Sequence, residues 1–245
     1  MLIQIILWII VAAVLLILLL LTISALAVNP RKEYTQNSPY YRTLLDTSTA
    51  FGVKLLRIHV KVIGKEKIPQ NTRFLLVSNH RSNFDPIVTW YALRDQNLAF
   101  VSKPENFKIP IFGRIIRKCC FLPIDREDPR KAIDAVNRAA ELLKSGTLSI
   151  GIYPEGTRNR TDALLAFHNG VFKIAKKANV PVVVMSVSGT DTIAKNWYRR
   201  QSKITLNILD VIPAQEVVQI KTAQIGEIAK EMITDDLFKR SATID

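Results

Sequence analysis

Seventeen consecutive apolar residues, Ile5 to Leu21, lie near the start of this chain. Such a run offers water no polar face, so protein or lipid has to cover it. From Met1 to Val28 only Gln4, Thr22 and Ser24 interrupt the apolar character. As a helix this stretch rises about 40 Å, against a hydrocarbon core of about 30 Å, and it is long enough to cross a bilayer. Ala25-Leu26-Ala27 resembles a processing site, which makes a cleaved signal peptide the rival reading. The lack of Lys or Arg ahead of the run and its overlong apolar core favour a retained anchor. Arg31 and Lys32 follow the run while nothing basic precedes it, an asymmetry that places the bulk of the chain on the cytoplasmic side of a cell membrane. Residues 1–30 are therefore expected to form the anchor.

Residues 31–57 hold a second, less apolar pattern, with Tyr40 and Tyr41 near its start and Leu44, Leu45, Phe51 and Val53 following. Tyrosines suit the boundary between water and lipid, so this reads as a juxtamembrane or interfacial helix. A soluble helix packed on the rest of the chain fits equally well. Net charge is +13, from 34 Lys and Arg against 21 Asp and Glu, and the basic residues recur throughout the chain after Arg31. That excess attracts anionic lipid or nucleic acid, and charge alone does not choose between them. No recognition helix or RNA-binding aromatic motif accompanies it, so a membrane-tethered nucleic-acid binder is the weaker reading and no nucleic-acid partner is expected. The two cysteines, Cys119 and Cys120, are adjacent and cannot staple distant parts of a fold, which fits a reducing compartment.

Residues 58–245 alternate strand and helix patterns. Short apolar runs at 58–63, 73–78, 97–101, 148–153, 182–187 and 203–209 read as strands. Helical periodicity is clearest from Pro129 to Ser145, with Asp128 as N-cap, Pro129 at the first helical position and Gly146 available for a left-handed end. Further helices are expected at 86–94, 170–178 and 217–238. Near-continuous apolar strands separated by helices indicate an α/β domain, its sheet mostly parallel or mixed and flanked by helices, with strand pairing left open.

Two polar motifs follow strand ends. Asn79-His80-Arg81-Ser82-Asn83-Phe84-Asp85 succeeds the run FLLVS, and Asp85-Pro86 repeats the cap-plus-proline signature, starting a helix near Ile87. On one continuous helix His80 and Asp85 would stand about 140° apart, so they meet only across a turn. If they meet, the carboxylate orients one imidazole nitrogen and leaves the other as a base for a hydroxyl. Ser82 is a conceivable nucleophile, although capping the loop suits it better. His59 and His168 lack such a setting and are expected to be structural, and no Asp/His cluster marks a metal site.

The second motif, Tyr153-Pro154-Glu155-Gly156-Thr157-Arg158, closes the run LSIGI. Gly156 permits a sharp backbone path, Arg158 presents a fork of donors suited to phosphate, and Glu155 either holds that arginine or accepts from a substrate hydroxyl. Arg126, at another strand end, gives a second arginine for one phosphomonoester. Lys103 and Arg114 are more diffuse candidates, and Asn79 and Thr157 are expected to touch substrate or shape the loops. Phe107, Ile109, Pro110, Ile111 and Phe112 border an acyl groove or belong to the core.

This combination resembles the phospholipid/glycerol acyltransferase family, in particular its bacterial 1-acyl-glycerol-3-phosphate members. The similarity covers about residues 75–190 in four ordered blocks: NHRSNFD, the stretch from Gly113 to Arg126 ending in PIDR, YPEGTR with Tyr153 where phenylalanine is usual, and VPVVVMSV at 180–187. The resemblance implies that residues 58–245 are an acyltransferase domain with His80 as general base and Asp85 as its partner. It also assigns glycerophosphate binding to Arg126, Glu155, Gly156 and Arg158, and links Pro181 and its neighbours to acyl or acceptor binding. The implied donor is acyl-CoA or acyl-carrier protein, with no permanently bound cofactor. The implied acceptor is lysophosphatidic acid in the lipid bilayer; glycerol-3-phosphate and a lyso-ornithine lipid are the alternatives.

Overall fold

The computed structural model describes residues 1–161, 163–197 and 200–241, so the last four residues of the expected 58–245 domain lie outside the described residues. Helix α1 (Leu2–Leu26) is followed by α2 (Pro39–Leu55), and then strands and helices alternate. They are β1 (Ile58–Ile63), β2 (Leu75–Ser78), α3 (Asp85–Ala92), β3 (Leu98–Ser102), α4 (Phe112–Lys118), β4 (Leu122–Pro123), α5 (Pro129–Lys144), β5 (Ser149–Ile152), α6 (Lys173–Ala178), β6 (Val182–Ser188), α7 (Ile193–Asn196), β7 (Ser202–Ile212), α8 (Ala214–Gln219) and α9 (Thr222–Ser241). The sheet order is β1-β7-β6-β2-β5-β3-β4. All neighbours are parallel except β6 and β7, which makes the sheet mostly parallel and mixed.

Alternation along the central strands builds two apolar layers, because successive side chains leave a strand on opposite faces. Leu75, Val77, Val182 and Val184 join the layer under α5, α6 and α9. Leu76, Val183, Met185 and Val187 join the layer under α2, α3 and α4. Each such burial removes a side chain from water at about 1.5–3 kcal/mol. Asp128 caps α5 as expected, accepting from the Arg130 and Lys131 amides at 3.0 and 3.3 Å, and Gly146 takes the left-handed conformation at φ 72° after the helix.

The differences from expectation are local. The strand end expected ahead of Arg126 is β4, which has two residues, ends in proline and occupies the sheet edge, where a missing amide donor costs nothing. The helix expected at 217–238 is two helices, because Ile220 adopts an extended conformation between α8 and α9. The one expected at 170–178 opens as a 3-10 turn from Asn169 to Phe172 before α6.

Helix α1 is exposed along its apolar length and is the one described helix long and apolar enough to cross a membrane. Its end is fastened to α2: the Tyr40 hydroxyl and Ser24 Oγ share a hydrogen bond of 2.6 Å, and the Tyr41 hydroxyl donates to the Ser24 carbonyl at 2.8 Å. Helix α2 in turn packs on the sheet through Tyr41, Leu45 and Val53. Buried Arg42 stacks over Trp90 with its guanidinium 4.4 Å from the ring centroid and donates to the Leu98 carbonyl, while the Trp90 indole donates to Asp46 at 2.6 Å. These contacts hold α2 against the rest of the chain and leave Tyr40 exposed.

Candidate active site

The site starts where β2 ends. Asn79 is fully buried, and its amide side chain pairs with both backbone groups of Val187 in β6, donating at 2.9 Å and accepting at 2.8 Å. The chain thus leaves the sheet at a fixed point, and His80 follows. A turn then returns Asp85, whose Oδ2 accepts from His80 Nδ1 at 2.7 Å, the Arg81 amide at 2.7 Å and the Ser82 amide at 2.8 Å. The Thr190 hydroxyl, just past β6, donates to Oδ1. Four donors make tolerable a carboxylate that is 0% exposed.

This arrangement corrects the expected cap. Asp85 is the first residue of α3, Phe84 stands at the N-cap, and no side chain caps the helix. The carboxylate instead faces back into its own loop, because the two preceding amides and an imidazole compete successfully for it. Ser82 serves the loop as well: its hydroxyl accepts from the Phe84 amide at 3.3 Å.

The imidazole of His80 is 16% exposed and stacks on Tyr153, with ring centroids 4.6 Å apart at 23°. Tyr153 stacks in turn on Phe100 at 6.1 Å. Burial, reinforced by the Asp85 charge, holds the Tyr153 phenol well above its ordinary pKa, so this ring positions the imidazole without competing for protons. The bond to Asp85 leaves Nε2 as the available nitrogen on a ring that forms part of a cavity wall. That cavity is about 450 Å³ and also receives Lys103, Arg126, Gly156 and Arg158. Apolar side chains from α2, α3 and the β3–α4 region complete it, among them Leu45, Trp90, Ile109, Phe112 and Phe121. Ile109 and Phe112 thus border the groove, whereas Phe107 is buried in the core.

Other expected residues lie elsewhere. Glu155 is 2% exposed and neither holds Arg158 nor reaches the cavity. Its Oε1 accepts from the His80 amide at 2.7 Å, and its Oε2 accepts from Asn159 Nδ2 and the Leu165 amide, both at 3.0 Å. It is a tie between the two motif loops, chosen because three donors, that of Asn159 buried and those of His80 and Leu165 partly so, converge on it. Glu155→Ala is expected to lower unfolding stability by about 3 kcal/mol, since those donors lose their acceptor. Urea denaturation measures this, and a loss below about 0.5 kcal/mol contradicts the tie. Arg114 points away from the site and donates to the Ala25 carbonyl at the end of α1, at 3.3 Å. Thr157 is exposed outside the cavity wall.

Sequence reasoning missed Thr190 and Asn159. Thr190 follows the end of β6 in Ser188-Gly189-Thr190, the same strand-end setting that singled out the other motifs. Burial pushes the Cys119 thiol up to about 12 and Cys120 up to about 11, so neither is a thiolate nucleophile at neutral pH. Among the described residues, no cluster of three His, Cys, Asp or Glu side chains could hold a metal ion.

A family model described as Acyltransferase matches residues 59–188, more than half of the chain, including both polar motifs; the chain belongs to that family. It is similar to the 1-acyl-sn-glycerol-3-phosphate acyltransferase of Haemophilus influenzae, with 30% identity over 185 residues that cover 74% of this chain and 75% of that one. A chloroplastic 1-acyl-sn-glycerol-3-phosphate acyltransferase of Brassica napus is 40% identical over 131 residues, 53% of this chain but 37% of the plant protein. The chain therefore spans well under half the length of that relative. Among solved structures, the 1-acyl-sn-glycerophosphate (LPA) acyltransferase of Thermotoga maritima superposes with a TM-score of 0.68 at 25% identity, covering 82% of this chain and 80% of that one.

Proposed function

We propose that this protein transfers a fatty acyl group from a thioester to the sn-2 hydroxyl of 1-acyl-sn-glycerol-3-phosphate, giving phosphatidic acid. The observation that carries the reading is the 2.7 Å contact between His80 and Asp85 on the wall of a cavity that also holds three cations. His80 Nε2 takes the hydroxyl proton as the oxygen attacks the thioester carbon, and Asp85 steadies the imidazolium that forms. The carbon–sulfur bond then breaks, and the departing thiolate recovers the proton from the imidazolium. Attack is direct, because both thiols are buried and protonated and the Ser82 hydroxyl is engaged with its own loop. The amides of His80, Arg81, Ser82 and Gly156 are all bonded internally, so in this reading the tetrahedral oxyanion relies on side-chain cations.

Lys103, Arg126 and Arg158 hold the acceptor phosphate and thereby align its hydroxyl. Residues 1–30 anchor the chain in a cell membrane, residues 58–245 form the catalytic domain on its cytoplasmic side, and the acceptor is drawn from the bilayer. The donor is acyl-CoA or acyl-carrier protein, either of which presents the thioester that this chemistry needs. Arg158→Ala is expected to raise KM for lysophosphatidate about tenfold, the loss of one charged hydrogen-bonding group, with little change in KM for the donor. Steady-state kinetics with each substrate varied in turn check this, and an unchanged acceptor KM removes Arg158 from the phosphate site.

A further inference from the structure

A second cavity, of about 440 Å³, opens on the opposite face of the sheet, against α5 and α6. Its floor is apolar, built from Ile124, Val136, Ile152 and Val171, which belong to the core layer away from α1 and α2. Its rim carries Arg126, His168, Lys173 and Lys177, with no carboxylate among the lining residues. Lys177 is held across the α5–α6 boundary by a hydrogen bond to Asn137 Oδ1, so that cation is positioned.

The two cavities share Arg126, Tyr153 and Gly156 in their walls. Gly156 has φ 74°, and a Cβ there would lie 2.7 Å from His168 Cδ2 and 3.4 Å from an Arg126 guanidinium nitrogen. The His168 ring and the Arg126 guanidinium therefore pack directly against the Gly156 backbone between the two cavities. The partition there consists of side chains, and the second cavity joins the one that holds His80 when the exposed His168 ring turns aside.

A transfer reaction needs two substrates at His80, and the surroundings of the two cavities differ. The first is bordered by α2, to which α1 is fastened, and by exposed Ile109 and Phe112; this is the lipid side. The second lies on the face away from α1 and suits a ligand arriving from water. A long arm that ends in phosphate at one end and thioester at the other matches a cationic rim, an apolar floor and a wall shared with the cavity that holds the base. We propose that the second cavity docks the phosphopantetheine arm of the acyl donor. Lys173 and Lys177 meet the phosphate, the arm lies over Val136 and Val171, and the thioester reaches His80 past Gly156. This inference rests on the acyl-transfer reading above and adds the donor's binding site to it.

The test uses the full chain in detergent, with lysophosphatidate as acceptor and three donors: acyl-CoA, acyl-carrier protein and acyl-pantetheine, the last lacking phosphate. Charge reversal at both exposed lysines (K173E together with K177E) is expected to raise KM for each phosphate-bearing donor that the wild type uses by about tenfold or more. KM for acyl-pantetheine and for lysophosphatidate is expected to move by less than about twofold. Comparing acyl-CoA with acyl-carrier protein tells which source supplies the arm. An equal rise for acyl-pantetheine, a rise in the lysophosphatidate KM, or no rise at all overturns the donor site while leaving the acyl-transfer reading standing. A wild type that transfers from none of the three donors overturns that reading, and this inference with it.

Discussion

His80→Ala is expected to lower kcat by about 10³-fold, the contribution of a positioned general base. The fold should survive, because the ring sits at a cavity wall and its removal costs Asp85 one of four donors. A stability loss of about 1–2 kcal/mol is the most that such a change brings. Circular dichroism and membrane association should therefore match the wild type while turnover collapses. Activity within tenfold of the wild type removes His80 from the role of base.

Asp85→Asn separates charge from shape. The amide side chain occupies the same volume and its oxygen can still accept from the His80, Arg81 and Ser82 donors, with its NH2 turned to Thr190. What disappears is the negative charge that stabilises the imidazolium. kcat is expected to fall by about 10²–10⁴-fold with KM for either substrate little changed. Asp85→Ala adds a second failure, since four donors lose their partner at a fully buried carboxylate position, and stability drops by about 3–5 kcal/mol. Equal stability for the alanine and asparagine variants would contradict the buried network; unchanged turnover in the asparagine variant would remove the charge from the mechanism.

Periodicity carried most of the architecture. The six strands expected from apolar runs all exist, because strands buried on both faces are written in the chain as Val, Ile and Leu. What escaped were features decided by distant neighbours: the extent of the two-residue edge strand β4 ahead of Arg126, and the extended Ile220 that divides α8 from α9. The same division applies to the site. Strand ends followed by polar residues located the loops that hold His80 and Arg158, and the membership of residues 59–188 in an acyltransferase family agrees with the resemblance of the motifs. The partner of a given side chain was not legible. Glu155 beside Arg158 reads as an ion pair, yet three donors, from His80, Asn159 and Leu165, claim both of its oxygens. Asp85 before a proline reads as a cap, yet its own loop folds back onto it. Arg114 reads as a diffuse candidate for substrate binding or loop structure, yet its guanidinium donates to the Ala25 carbonyl at the end of α1. Local pattern specifies the element on which a residue stands; the direction of its side chain depends on packing that brings together positions 70 to 110 residues apart.

The most direct measurement supplies the purified wild-type chain with an acyl thioester and, in separate reactions, lysophosphatidate, glycerol-3-phosphate and a lyso-ornithine lipid, and identifies each product by mass. Phosphatidate carrying the donor's acyl chain at sn-2 is the expected product, formed fastest from lysophosphatidate and absent with His80→Ala. Acylation of either other acceptor in preference, or no acylated lipid from any of them, contradicts the account.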